Sequence, residues 1–300
     1  MTKSQISDND SYKKPTVIIN MAAGNTLDIS DDITPIFKTF GLNTPLIHSV
    51  QPQALEKVFT TVLSDGTDLL VIYGGDGTCK AGAITAREAG IPLIALPGGT
   101  MNMLPKALYG TDDWRVALRS ALSQRHTRWQ AAGKINDHIF FCGVILGDPI
   151  VMSEAREALR DGDILDAVKQ VPEIMTAIAY GERFEFKVDG QLFDRDANGL
   201  QIYCPFMTKG ATLSDAFELA SVPQLSMPQL MGIGARAMAQ DWRDSVHVKT
   251  APARHIQING QGAFDVLIDG EPESIKCPID ITLHEKGVRV LAPDMRAGAL

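Results

Sequence analysis

The segment TDLLVIYGGDGT (67–78) runs apolar without alternation and then breaks abruptly into three glycines and an acid. A strand with no polar face must be covered on both sides, and parallel sheets flanked by helices provide that cover. The residues that follow, TCKAGAITAREAG (78–90), read as a helix, and IPLIALP (91–97) reads as a second apolar strand that also ends in glycines. The same alternation extends upstream through PTVIIN (15–20), SDDITPIFKTFG (30–41), TPLIHSV (44–50) and PQALEKVFTTVLSDG (52–66), and downstream to TDDWRVALRSALSQ (111–124). The helix at 30–41 is expected to be capped by Ser30 or Asp31 and stopped by Gly41. Strand and helix in strict turn predict a parallel α/β sheet.

The texture changes after about residue 126. RWQAAGKINDHIFFCGVIL resembles a hairpin turning near Asn136-Asp137, two helical stretches follow (150–160 and 163–180), and then come RFEFKVDGQLF, GLQIYCPF, DSVHVKT, RHIQING, FDVLIDGE, PIDITLHE and GVRVLAP. These are short, alternating and punctuated by turn residues such as Asp189-Gly190, which is antiparallel β texture. A chain of 300 residues exceeds one ordinary core. The expected organisation is a loose tail over 1–14, an α/β domain over 15–128 and a β-rich domain over 129–300, with the last strand free to return to the first domain. No internal repeat of fixed period appears.

Bulk properties remove several function classes. The net charge of −8 weighs against a nucleic-acid partner, which favours a basic face. The four cysteines, Cys79, Cys142, Cys204 and Cys277, form no CxxC pair, and the six histidines have no metal-ligand spacing. The N-terminus lacks the apolar region of a signal peptide, and no stretch approaches the ~20 apolar residues of a membrane span. A cytoplasmic protein is expected.

Between a buried strand and a helix, GGDGT (74–78) offers backbone N–H groups and the positive end of a helix dipole to an anion. Asp76 among those donors would repel a bare phosphate; it makes sense if it binds Mg²⁺ or orients the loop. A tight turn with Asp76 as N-cap is an equally good account of the loop taken alone. GxGxxG and Walker A sequences are both absent. The next strand ends in LPGGTMNM (96–103), which puts two glycine–threonine loops on one sheet edge, where open α/β folds bind ligands. Thr78, Thr100 and Asn102 then offer hydroxyls and an amide to phosphate or ribose.

GGDGT followed by PGGTMN (97–102) resembles the diacylglycerol kinase catalytic-domain family. VIINMAAG (17–24) looks like its N-P-x-x-G element, with Asn20 and Gly24 retained and Met21 in place of proline; VLIDGEP (266–272) looks like its C-terminal D-G-E. The resemblance implies an N-terminal domain of the NAD kinase and phosphofructokinase type followed by a β-sandwich. It implies ATP and Mg²⁺ as cofactors, with Asn20, Gly74, Gly75, Asp76, Gly77, Thr78, Gly99, Thr100 and Asn102 around the nucleotide. A further family position falls on His48 or Ser49, in the loop leaving the second strand. Glu271 would be the general base that takes the proton of an attacking alcohol, with Asp76 the other catalytic acid. Asp215, in TLSDAFELA (212–220), falls where the family holds a structural Mg²⁺.

The implied activity is phosphoryl transfer from ATP to a lipid hydroxyl, with a lipid substrate met peripherally at the inner membrane surface and room for a homodimer. Two alternatives stand beside it: a kinase of a soluble substrate such as NAD, and a non-catalytic nucleotide- or lipid-binding protein. The sequence departs from the family at Cys79-Lys80 and at GVILGDPI (143–150). Cys79 at a helix N-terminus is either a lowered-pKa thiol or a small packing residue. Arg115, Arg119, Arg125 and Arg128, around Trp114 and Trp129, form either a solvated face or a membrane contact.

Overall fold

The computed structural model describes residues 12–22, 28–124, 126–147, 183–205, 207, 215–223, 243 and 245–293. The chain divides into two compact units, one of residues 1–131 and 285–300 and the other of residues 132–284.

The first unit contains β1 (Pro15–Asn20), α1 (Ser30–Thr39), β2 (Leu46–Val50), α2 (Leu55–Ser64), β3 (Leu69–Gly74), α3 (Asp76–Ala89), β4 (Leu93–Pro97), α4 (Met103–Tyr109) and α5 (Trp114–Leu122). Its strands pair in parallel in the order β2-β1-β3-β4. β1, β3 and β4 are buried along their whole length, which is why their sequences do not alternate. β2 is the edge, and its residues are half-buried or exposed. From β1 the chain steps to one side to form β2 and then crosses to the other side for β3, so the strand order reverses between β1 and β3. The crevice outside the carboxyl ends of such a strand pair is where open α/β sheets bind ligands. Asn20 ends β1 and Gly74 ends β3.

Local chemistry explains where the helices begin and end. α1 is not capped by Ser30 or Asp31 as expected. Its cap position is Ile29, and Asp28 accepts the backbone N–H of Ser30 at 3.0 Å. Gly41, at φ +72°, ends the helix as its sequence suggests. α3 begins at Asp76 rather than Thr78 and closes on Gly90 at φ +66°. α4 has no counterpart in the sequence expectations, and it contains Pro105. That proline is the third helical residue, where the backbone N–H has no intrahelical acceptor to lose. The tail expected over 1–14 is held at its end, where the amides of Lys13 and Lys14 donate to the Asp68 carboxylate at 2.6 and 3.0 Å.

β5 (Arg128–Ile135) leads into the second unit, which continues with β6 (His138–Phe140), β7 (Gly143–Leu146), β8 (Phe184–Val188), β9 (Gln191–Tyr203), β10 (Phe217–Pro223), β11 (Lys249–Ala253), β12 (His255–Asn259), β13 (Ala263–Ile268), β14 (Glu271–Lys276) and β15 (Ile279–Val290). Its strands pair antiparallel, in the order β14-β13-β7-β9-β8-β12-β15, with β10 and β11 added alongside the second half of β9. Phe140, Phe186, Phe217, Ile202 and Ile256 are fully buried in one core, and Phe140 stacks on Phe217 with ring centroids 5.7 Å apart. The turns at Asn136 and Asp189 have φ of +46° and +49°, as two-residue hairpin turns require.

Two expectations change. The hairpin read over 128–146 stops at Phe140, and Gly143–Leu146 instead pairs with β9 and β13. PIDITLHE and GVRVLAP form the single strand β15, whose last residues belong to the first unit, where Val290 pairs in parallel with Leu93. There Tyr109 donates its hydroxyl to the Leu291 carbonyl at 3.1 Å and Arg128 Nε donates to the Pro293 carbonyl at 2.9 Å. The helices expected at 150–160 and 163–180 lie outside the described residues. No helix among the described residues is long and apolar enough to cross a membrane.

One buried charge bears on the stability of the β unit. Asp194, 3% exposed, accepts the Ser221 hydroxyl at 2.9 Å and the Lys249 ammonium at 2.9 Å. Burial alone would raise its pKa, but the hydrogen bonds from Lys249 and Ser221 outweigh it and hold the carboxyl below its ordinary value. A carboxylate with a lowered folded-state pKa stabilises the fold above the unfolded pKa and loses that contribution as pH falls through the folded value. Asp194→Asn should therefore destabilise the protein by about 1–3 kcal/mol at pH 7. In thermal melts the gap to the wild type should narrow below about pH 4.

Candidate active site at the sheet edge

The two glycine loops of the first unit sit against each other, main chain to main chain. Gly98 donates its N–H to the Gly74 carbonyl at 3.0 Å. A Cβ on Gly98 would lie 2.9 Å from the Gly74 nitrogen, and one on Gly99 would lie 2.7 Å from the Gly75 Cα. A Cβ on Gly74 would lie 2.9 Å from the Thr78 Cβ. Gly98 and Gly99 are therefore glycine because the loops touch, and Gly74 because its own loop turns back on it at Thr78. α3 is brought close to the sheet in the same way, since a Cβ on Gly82 would meet Ile72 at 2.4 Å.

Asp76 ties the loops together. Its two carboxylate oxygens accept the backbone N–H groups of Met103 at 2.6 Å and of Asn102 at 3.0 Å. The acid is thus the first residue of α3, yet it caps the start of α4, and Gly75 takes the cap position of α3. Of the roles open to Asp76, the geometry displays the one that orients the loop. Asn102 works within its own turn: it sits at φ +52°, accepts the Gly99 N–H at 2.8 Å and donates to the Gly99 carbonyl at 2.9 Å and to Asp112 at 3.2 Å. Its amide therefore shapes the PGGTMN turn instead of standing free for a ligand. Asp112 carries no motif of its own, and it also pairs with Lys106 at 3.1 Å.

At the strand-order reversal, Asn20 donates its side-chain N–H to the Thr78 hydroxyl at 2.8 Å, with both residues buried. Asn20 also accepts the Ala22 N–H at 3.1 Å, which shapes the exit from β1. Where the family has proline, Met21 donates its N–H to the Val50 carbonyl at 2.9 Å and so prolongs the β1–β2 pairing. Gly24 of the same element lies outside the described residues. His48 and Ser49 fall inside β2, opposite Ile18 and Ile19, and not in its exit loop as expected.

With these residues engaged, the groups presented outward are few. Gly75, at the cap position of α3, has no side chain to offer its first-turn N–H groups, Gly77 in that turn is exposed, and so is Thr100 in the neighbouring loop. Uncapped N–H groups and the dipole of a fourteen-residue helix attract anions. Cys79 is buried, and burial first, then the nearby Asp76 charge, pushes its thiol pKa up. It packs; it is not an activated nucleophile. Lys80 is half-buried in the first turns of α3. In the basic stretch, Arg115 pairs with Asp32 and lies over the Trp114 ring at 4.5 Å, while Trp129 remains exposed.

The acids proposed in the second unit separate into two kinds. Glu271 is exposed on the first residue of β14, directly after a two-residue turn in which Asp269 and Gly270 have φ of +52° and +83°. Asp269 itself is buried. Asp215 faces Arg254, whose guanidinium lies 3.6 Å from its carboxylate and donates to its carbonyl at 2.6 Å. Both side chains are exposed, and residues 208–214 lie outside the described residues. Among the described residues no group of three His, Cys, Asp or Glu side chains is arranged to hold a metal ion.

Residues 14–133 match the sequence model of the family described as the diacylglycerol kinase catalytic domain. The chain is 22% identical over 253 residues to the protein named "Putative lipid kinase SH2167" of Staphylococcus haemolyticus, covering 79% of this chain and 80% of that one. It is 24% identical over 214 residues to an NAD kinase of Koribacter versatilis, covering 68% of this chain and 64% of that one. A crystal structure of a diacylglycerol kinase from Bacillus anthracis superposes with a TM-score of 0.70 at 16% identity, over 95% of this chain and 99% of that one. At that identity the superposition establishes the fold.

The cap that Asp76 places on α4 can be measured without any ligand. Asp76→Ala should lower stability by about 0.5–2 kcal/mol in nucleotide-free, metal-free thermal melts, the usual effect of removing a helix cap. An aspartate serving only as a metal ligand would leave those melts unchanged.

Proposed function

We propose, for a chain whose residues 14–133 match the sequence model of the diacylglycerol kinase catalytic domain, an ATP- and Mg²⁺-dependent kinase that transfers the γ-phosphoryl group to a lipid hydroxyl. The observation that carries this reading is the interlocked pair of glycine loops beside the strand-order reversal, which leaves the uncapped start of α3 open beside Gly77 and Thr100. Phosphoryl transfer is dominated by positioning and charge stabilisation, and a rigid cradle of backbone donors supplies both to the phosphates.

In this reading the N–H groups over 75–78 and the exposed Thr100 hold the phosphates, while Asn20 keeps the Thr78 hydroxyl in place by donating to it. Asp76 and Asn102 hold the shape of the cradle. Mg²⁺, when bound, would neutralise charge on those phosphates. Glu271 serves as general base: the acceptor hydroxyl oxygen forms the new bond to phosphorus as the bond to the β-phosphate oxygen breaks, and its proton passes to the Glu271 carboxylate while ADP leaves. The acceptor is a lipid met peripherally at a membrane surface, and the protein acts from the cytoplasm.

A second reading, a soluble acceptor such as NAD, draws support from the similarity to an NAD kinase over 68% of the chain. The PGGTMN loop, which resembles the lipid-kinase pattern, favours the lipid. The test is purified protein with labelled ATP, Mg²⁺, a panel of lipids in mixed micelles and, separately, NAD. A labelled lipid is expected, with Glu271→Gln reducing its rate by roughly 10²–10⁴-fold. Labelled NAD instead would establish the second reading; nucleotide-dependent thermal stabilisation with no labelled acceptor would make the protein a binder.

A further inference from the structure

The buried acid beside Glu271 has a role that rests on the reading of Glu271 as general base. Glu271 stands in a poor place for a group that must be held accurately. It opens β14, an edge strand that pairs only with β13 among the described residues, and it is exposed. Edge hairpins fray, whereas catalytic geometry needs positions fixed to about half an ångström.

Asp269, two residues earlier, removes that freedom. Its Oδ1 accepts the N–H of Cys142 at 2.7 Å and of Gly143 at 3.0 Å, and its Oδ2 accepts the N–H of Phe141 at 3.0 Å. The Asp269 N–H in turn donates to the Gly143 carbonyl at 2.9 Å. The carboxylate thus sits in a concave nest of three successive amides, a geometry that favours an anion.

The nest is itself immobile. Phe141 and Cys142 are buried, the Cys142 carbonyl accepts the Cys204 N–H at 2.8 Å, and Gly143 lies so close to β9 that a Cβ would come within 2.6 Å of the Ile202 carbonyl oxygen. β9 lies inside the sheet and pairs with β7, β8 and β10. The left-handed backbone at Asp269 and Gly270 then turns the chain so that Glu271 follows directly on the anchored residue.

We infer that Asp269 is a positioning residue that fixes the proposed general base Glu271 by anchoring the β13–β14 turn to the amides of Phe141, Cys142 and Gly143. An asparagine at 269 keeps the shape but presents an NH₂ group to amide donors, so the nest rejects it and the turn loosens. Displacement of a reacting group by about an ångström can cost ~10²-fold in rate.

The test is a double-mutant cycle on the phosphorylated lipid, with Asp269→Asn, Glu271→Gln and the double variant. Asp269→Asn alone should lower kcat about 10²-fold with the KM for ATP unchanged. In the Glu271→Gln background it should lower kcat less than about 3-fold further, because residues that act as a unit are not additive. If both single variants are impaired and their effects multiply in the double variant, Asp269 is merely structural and the inference falls, while the kinase reading stands. If Glu271→Gln is fully active, or the wild type labels no acceptor, the reading beneath it falls and takes the inference with it. Should Asp269→Asn fail to fold, Gly270→Ala, strained at φ +83° but keeping the carboxylate, must give the same non-additivity.

Discussion

The hydrogen bond from Gly98 N–H to the Gly74 carbonyl, with glycine stacked on glycine around it, is the contact on which the candidate nucleotide site depends. Parallel neighbours β3 and β4 end at the same level, and their exit loops must either diverge or share space. They share it because neither loop carries a Cβ where the other passes. Once the loops are in contact, Asp76 can reach across from one helix to cap the next, and Asn102 can fold back on Gly99. Most polar side chains of the motif are therefore turned to the protein itself, and Gly77, Thr100 and Met101 are the exposed residues of the two loops.

The two units solve the same problem by the same means. A carboxylate placed among backbone N–H groups fixes a loop in each. Asp76 receives two amides at the start of α4, and Asp269 receives three at the junction of β6 and β7. A charged acceptor makes stronger hydrogen bonds than a neutral one, and convergent donors define its position from several directions. Both acids are next to or within a glycine turn, and both belong to motifs that sequence alone reads as ligand or catalytic chemistry. Glu271, the one member of its motif that is exposed, is the residue left free to act.

Much of the first unit was legible because buried parallel strands leave an unmistakable pattern of apolar runs closed by glycine. α4 was not, since its seven residues are too few for a helical period and Pro105 reads as a breaker. The β6–β7 break was invisible for a different reason: HIFFCGVIL alternates no differently across Phe141 and Cys142, and only the pairing of Gly143–Leu146 with β9 and β13 divides it. Asp215 pairs with Arg254, 39 residues on, a contact that its motif position does not announce. Cys79, ambiguous by position, became a packing residue once the burial of its sulfur was visible.

By itself the sequence determined the order of strands and helices in the first unit apart from α4, the antiparallel texture of the second, and which two loops and which D-G-E turn carry the family likeness. Those features follow from local periodicity and from residues whose backbone freedom is restricted or enlarged, which are properties of a few neighbours along the chain. Only the tertiary structure decided what the motif side chains touch. Asp76 meets α4 across 26 residues and Asp269 meets Phe141 across 128. Hydrogen bonds between such distant segments depend on how strands are ordered in a sheet, and nothing in the identity of an aspartate says whether its partner is a metal, a proton or a distant amide.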